Sequence, residues 1–207
     1  MGDLVLLDSE VTPILSALEA SGFEVTAIHN HLLGETPHVT YLHYSGRGEA
    51  VTLAKALRAV LEKTGTPIGA SSAAPPGPED VATLKRVEEA LGRQGSMAGP
   101  VLQIGVPRAE TIREEGMEIP ASDGMANSMN FQVAGRRVAT TGDFVLLASE
   151  VNPVIRELRA HGIEVTALHS HMLAESPRLF FMHFWAVDSP DEIGQGLKAA
   201  LAKVHTR

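Results

Sequence analysis

His29-Asn30-His31-Leu32-Leu33-Gly34-Glu35-Thr36-Pro37 returns 140 residues later as His169-Ser170-His171-Met172-Leu173-Ala174-Glu175-Ser176-Pro177. The same offset carries His43 onto His183, and Leu57 and Leu61 onto Leu197 and Leu201, so the two stretches align without a gap. An offset kept over that length reads as a duplication. It also places a small alignment inside one chain: positions held in both copies were needed twice, and three histidines and a carboxylate are among them.

Working outward from the first phrase, Phe23, Val25, Ala27 and His29 alternate with Glu24, Thr26, Ile28 and Asn30, a strand pattern rich in β-branched residues. Glu35-Thr36-Pro37 reads as a turn, and Val39 to Tyr44 as the returning strand. Upstream, Gly2 to Leu7 is an apolar run of strand length. Thr12 then reads as the cap of a helix with Pro13 at its first position, carrying Ile14, Leu15 and Leu18 on one face and ending at Gly22. Downstream, Ala50 to Lys63 places Leu53, Ala56, Leu57, Val60 and Leu61 on one helical face. The copy reads β-α-β-β-α.

The second copy repeats this order from Gly142, with Asn152-Pro153 in place of Thr12-Pro13, and closes with a helix from Asp191 to Val204 that Ser189 or Asp191 caps. Before it lie a strand from Gly99 to Pro107, a short polar segment from Thr111 to Pro120, and a hairpin from Asn130 to Thr140 turning at Ala134-Gly135-Arg136. The first copy has only Met1 ahead of the matching Gly2-Asp3. This is read as a missing front segment, which leaves a sheet edge open and makes a homodimer an expected partner state. Between the copies, Ala70-Ser71-Ser72-Ala73-Ala74-Pro75-Pro76-Gly77-Pro78 is a linker composition, followed by a charged helix from Glu79 to Gly92. The expected organisation is module 1 over residues 1–64, a linker with its helix over 65–96, and module 2 over 97–207. The expected class is α+β, two tandem βαββα-type modules with antiparallel sheets related by a pseudo-twofold axis.

Composition narrows the function. A net charge of −8 and a pI near 5.6 argue against nucleic acid or an anionic membrane surface as partner, because both select clustered Lys and Arg. No apolar stretch is long enough to span a bilayer and no leader of charged-then-apolar type stands at Met1, so the chain as given reads as soluble. The absence of cysteine excludes disulfides, thiol nucleophiles and Cys-based zinc sites. Neither a phosphate-binding loop nor a dinucleotide or GxSxG fingerprint is present.

The repeated phrase carries the chemistry. In a regular strand His29 and His31 point to one face with Cα atoms roughly 6.5 to 7 Å apart, and the turn at Pro37 brings a residue near His43 opposite them. His29, His31 and His43 are therefore one candidate ligand set, and His169, His171 and His183 the other. Glu35 and Glu175 are candidates for a fourth ligand or for a catalytic base. Three histidines with or without a carboxylate suit a divalent transition metal, Zn²⁺ foremost, with Cu²⁺, Fe²⁺, Mn²⁺ and Ni²⁺ open on ligand type. If such a site is catalytic, it fits metal-assisted hydrolysis or lyase chemistry on a small polar ligand or substrate. The rival reading makes the histidines structural, satisfied by backbone in a non-catalytic binding or scaffold module, or in a metal carrier. The spacing HxHxxxE resembles the metal strand of cupins, although their second motif and glycine pattern are missing.

Other repeated positions read more plainly. Glu10 and Glu150 stand where they support a helix cap or reach the site, and Asp3 and Asp143 where a turn role is the default. Thr26 and Thr166 fall on the face opposite the odd-numbered histidines if the strand is regular. His38, His161 and His205 have no counterpart in the other copy and read as surface residues. Met172 and Met182 border the second phrase and add weight to copper, or fill core.

The phrases Gly2-Asp3-Leu4-Val5-Leu6, Val25-Thr26-Ala27-Ile28-His29-Asn30-His31-Leu32-Leu33, Gly142-Asp143-Phe144-Val145-Leu146 and Val165-Thr166-Ala167-Leu168-His169-Ser170-His171-Met172-Leu173 resemble the LppY/LpqO family, as does Pro177 to Ala186. That is a bacterial domain family without an established activity. The resemblance covers nearly the whole chain and implies an exported, periplasmic or lipid-anchored protein with a further segment ahead of the first Gly-Asp.

Overall fold

The computed structural model describes residues 1–69 and 74–207; the part of the expected linker from 70 to 73 lies outside the described residues. The protein is α+β, and its contacts divide it into two units, Met1–Ser71 with His171–Leu173, and Ser72–Ser170 with Ala174–Arg207.

In the first unit, β1 (Gly2–Leu7), α1 (Asp8–Ala20), β2 (Glu24–His29), β3 (Val39–Ser45) and α2 (Ala50–Leu61) follow the expected order. The strands form an antiparallel sheet ordered β1-β3-β2. Because side chains alternate along a strand, Leu4, Leu6, Leu42 and Tyr44 share one face, and there they bury with Ile14 and Leu18 of α1 and Val60 of α2. The opposite face carries Asp3, Val5, Tyr41 and His43. Glu49 caps α2 by accepting from the Val51 and Thr52 amides.

The first helix does not start at Thr12-Pro13. It begins at Asp8, and Pro13 lies inside it. The carboxylate of Glu10 reaches back to accept from the Leu7 amide at 2.9 Å, so the chain turns into helix straight from β1. The other Glu10 oxygen accepts from the Gly65 amide at 2.6 Å and ties down the segment after α2. Glu150 does the same at the 140-residue offset, accepting from Leu147 at 2.7 Å and from His205 at 3.0 Å. Glu10 and Glu150 are therefore caps and clamps.

The second unit comprises α3 (Pro78–Leu91), β4 (Ser96–Ala98), β5 (Val101–Pro107), β6 (Ile112–Glu114), β7 (Met117–Ile119), β8 (Ala126–Ala134), β9 (Arg137–Leu146), α4 (Ala148–Ala160), β10 (Glu164–His169), β11 (Glu175–Ser176), β12 (Phe180–Asp188) and α5 (Pro190–Leu201). Six strands make one sheet ordered β10-β12-β9-β8-β5-β4, and β11-β6-β7 make a small one. The segment read as merely polar, Thr111 to Pro120, is the β6-β7 hairpin. The β8-β9 hairpin turns at Gly135, whose φ of +66° favours glycine. Ser189 caps α5 through the Glu192 amide.

The charged helix α3 is part of this unit's packing. Leu84, Val87 and Leu91 recur at helical spacing and bury in a core with Ile104, Phe131, Phe144, Phe184 and Leu197. Gly194 on α5 permits the approach: a Cβ there would lie 2.5 Å from the Ala90 Cβ and 3.0 Å from the Leu91 amide. Arg86 pairs with Asp191 between the same two helices. No helix among the described residues is long and apolar enough to cross a membrane.

Candidate metal centre

The position of the first cluster is set by a bulge. Val25 lies across from Tyr44 and Ala27 across from His43, so Thr26 is the extra residue between them. A bulge changes which face the following residues take. Val25 packs against the apolar core, whereas Ala27 and His29 turn to the other face with Tyr41 and His43. The regular strand expected through Thr26 is thus interrupted, and the Thr26 hydroxyl is buried without a hydrogen-bond partner among the described residues.

His29 ends β2, and His31 lies beyond it in the loop. The pairing of His29 and His31 on one regular strand therefore does not occur. His31 reaches the group from the loop, where the Asn30 side-chain Nδ2 holds the β3 side by donating to the Val39 carbonyl at 3.2 Å. Directly across from His29 is Tyr41, and His43 is one diagonal step away. Ring centroids are 5.0 Å apart for His29 and His31, and 4.8 Å for His29 and His43. Tyr41 stacks on His31 at 3.3 Å with the planes 3° apart. Each of the three histidines offers a ring nitrogen within 4.8 Å of the others. A tetrahedral ion bound at about 2.05 Å spaces its ligands about 3.4 Å apart, a spacing that lies inside the 4.8 Å spread of these nitrogens.

His29 is disposed as a neutral ligand. Burial lowers its pKa from 6.5 to about 4, against the opposing pull of the Asn30 carbonyl, with the charge of His43 adding to the lowering. Its Nδ1 lies 3.3 Å from that carbonyl. A proton assigned to Nδ1 on this contact leaves the lone pair on Nε2, the arrangement in which imidazole binds metal.

Two neighbours complete the surroundings. Glu35 has Oε1 buried with no hydrogen-bond partner among the described residues. The Tyr41 phenol is pushed up by burial, and then by the charges of Glu35 and Asp3, so it stays protonated. Asp3, read as a turn residue, stands in β1 across from His43. Neither Asp3 nor Tyr41 was identified from sequence as part of this face. The available signals were the recurrence of Gly-Asp at both 2–3 and 142–143, and the two-residue spacing that puts Tyr41 beside His43.

The second phrase repeats the local geometry. A bulge separates Val165 from Ala167, His183 faces Ala167 and Asp143, and His169 faces Phe181. The His169 and His183 rings are 4.9 Å apart. Their Nδ1 atoms lie 3.4 Å from the Ser170 carbonyl and 3.3 Å from the Gly142 carbonyl, respectively. His171 is buried and is counted with the first unit, whereas His169 and His183 belong to the second. Glu175 differs from Glu35. It lies in β11, buried, accepting from Arg178 at 3.1 Å and from the Leu179 amide at 3.0 Å. The residue matching Arg178 is His38, which contacts Asp8 and Asn30 instead. Met182 is core filler in the second unit. His161 lies at the end of α4 with its Nδ1 against the Glu157 carbonyl, and His205 is exposed beside Glu110.

No curated protein matches the chain. A family model does: it covers residues 1–63 and 85–203, and the chain belongs to that family, described as Domain of Unknown Function (DUF1259).

Proposed function

We propose that this protein binds a divalent transition metal, Zn²⁺ foremost, through the imidazoles of His29, His31 and His43. The observation that carries the reading is the convergence of three ring nitrogens within 4.8 Å of one another. The neutral state of His29 at pH 7 supports it, since a ligand that holds no proton has none to release on binding. A metal at this place supplies Lewis-acid polarisation or an acidified water, which suits hydrolysis or lyase chemistry on a small polar substrate. Glu35 is then the proton acceptor, because its carboxylate is not committed to a cation as that of Glu175 is. The tandem duplication, the LppY/LpqO name and an exported location belong to the same proposal. They rest on the 140-residue offset and on the resemblance of the quoted phrases.

Elemental analysis of untagged protein tests the metal, read beside the His31→Ala, His43→Ala double variant. Near-stoichiometric metal in the parent that falls by one equivalent in the variant is the expected result. No metal in the parent after incubation with Zn²⁺, Cu²⁺ and Fe²⁺ would overturn it. That outcome would leave the structural reading, favoured by the stacking of His31 on Tyr41 and the contact of His29 with the Asn30 carbonyl.

A further inference from the structure

The loop that follows His169 turns a polar ring inward and an apolar side chain outward. His171 is 8% exposed, whereas Leu173 keeps 56% of its surface and its counterpart Leu33 keeps 64%. Taking an imidazole out of water in preference to a leucine costs free energy unless the ring's polar atoms are engaged. His171–Leu173 are counted with Met1–Ser71, apart from Ser170 and Ala174 on either side of them. Within that unit the His171 ring lies 3.8 Å from that of His43 and 5.1 Å from that of His29, centroid to centroid.

One shared ion allows only a narrow range of such distances. Two imidazoles bound at about 2.05 Å, at angles of about 90 to 109°, have centroids roughly 4.5 to 5.2 Å apart. His29 meets three rings in that range: His43 at 4.8 Å, His31 at 5.0 Å and His171 at 5.1 Å. A ring nitrogen of His171 lies within 4.8 Å of one of His29. The His43 and His171 rings are closer than the range, so a common ion would spread them by roughly 0.7 Å.

We propose that His171 is a fourth ligand of the centre formed by His29, His31 and His43, an inference that rests on the metal reading of those three. One phrase position is then used twice around one ion, since His31 and His171 match at the 140-residue offset. The set read from the second phrase, His169, His171 and His183, gives up its middle member. Four imidazoles fill a tetrahedral ion as in closed zinc sites, so a small substrate reaches it on expansion to five ligands.

Cu²⁺ alone, added at one equivalent to the untagged full chain, is the first probe. Its electron paramagnetic resonance spectrum counts coordinated nitrogens: four are expected in the parent, and three in each of His171→Ala and His43→Ala. Competition against a chromophoric chelator then reads Zn²⁺ affinity, expected to fall at least tenfold in His171→Ala and to hold in His205→Ala, an exposed histidine beside Glu110. His171→Gln is the second variant should Ala disturb the fold. Three nitrogens in the parent, or unchanged count and affinity in the His171 variants, would overturn the fourth ligand and leave the three-histidine centre standing. A nitrogen lost in His171→Ala but not in His43→Ala would assign His171 to a different ion and overturn the proposal. A parent that binds neither Cu²⁺ nor Zn²⁺ would overturn both readings.

Discussion

Arg108 grips Glu150 with two hydrogen bonds, 2.6 and 3.1 Å long, at a place where the arginine side chain is 1% exposed. The same guanidinium donates to the Val145 carbonyl and to Glu110. Removing one partner of a buried, hydrogen-bonded pair strands the other, so Arg108→Ala is expected to cost about 3–5 kcal/mol in urea unfolding.

The acid side of the stability profile follows from Glu150. Burial pushes its pKa up, but hydrogen bonds from Arg108 and from the His205 and Leu147 amides, with the charge of Arg108, outweigh it and hold the carboxyl below its ordinary 4.5. The folded state then binds fewer protons than the unfolded one. The stabilisation is full above the ordinary value and is lost as pH falls through the folded one. Glu150→Gln should flatten the loss of stability below about pH 4.5.

His29 gives a second linkage with a different window. Its folded pKa of about 4 lies under the ordinary 6.5, so the unfolded chain takes up a proton first as pH falls. Metal-free protein should lose stability from pH 6.5 toward 4, and His29→Asn should lose less over that span. A side-chain NMR titration of His29 with a midpoint near 6.5 would contradict this.

Gly2 and Gly142 occupy matching positions but carry different loads. A Cβ on Gly142 would lie 1.9 Å from the Ser128 carbonyl oxygen, part of the backbone of β8, whereas one on Gly2 would meet the Tyr44 hydroxyl at 2.6 Å. Backbone held in a sheet yields less than the end of a side chain. Gly142→Ala should cost about 1–3 kcal/mol or more in urea unfolding, and Gly2→Ala clearly less.

Glu35 and Glu175 should also separate on substitution. Glu175→Ala removes an acceptor from the Leu179 amide and from Arg178, so a loss of about 1–3 kcal/mol is expected. Glu35→Gln neutralises a half-buried carboxylate whose buried Oε1 has no hydrogen-bond partner among the described residues, so its thermal midpoint should hold or rise while any activity falls.

Much of this was legible in the chain. The alternation in 23–30 and 39–44, the amphipathic spacing of 50–63, and the 140-residue offset gave the elements of the first unit and named His29, His31 and His43 together. Periodicity is a local property, so these features survive being read without coordinates. The helix start was not legible, because Thr12-Pro13 is a strong local signal and the Glu10 carboxylate outcompetes it by reaching Leu7 and, far along the chain, Gly65.

Sequence by itself determined the element order of the first unit, the α+β class and the residue types of the candidate centre, since these depend on pattern and side-chain chemistry. Only the tertiary structure decided that a bulge at Thr26 turns His29 toward His43, and that His31 joins from a loop. It alone showed that Tyr41 and Asp3 share their face, and that Glu175 is held by Arg178 while Glu35 is not. Register, bulges and long-range hydrogen bonds arise when distant strands meet, and an offset between identical phrases carries no information about what each phrase will be packed against.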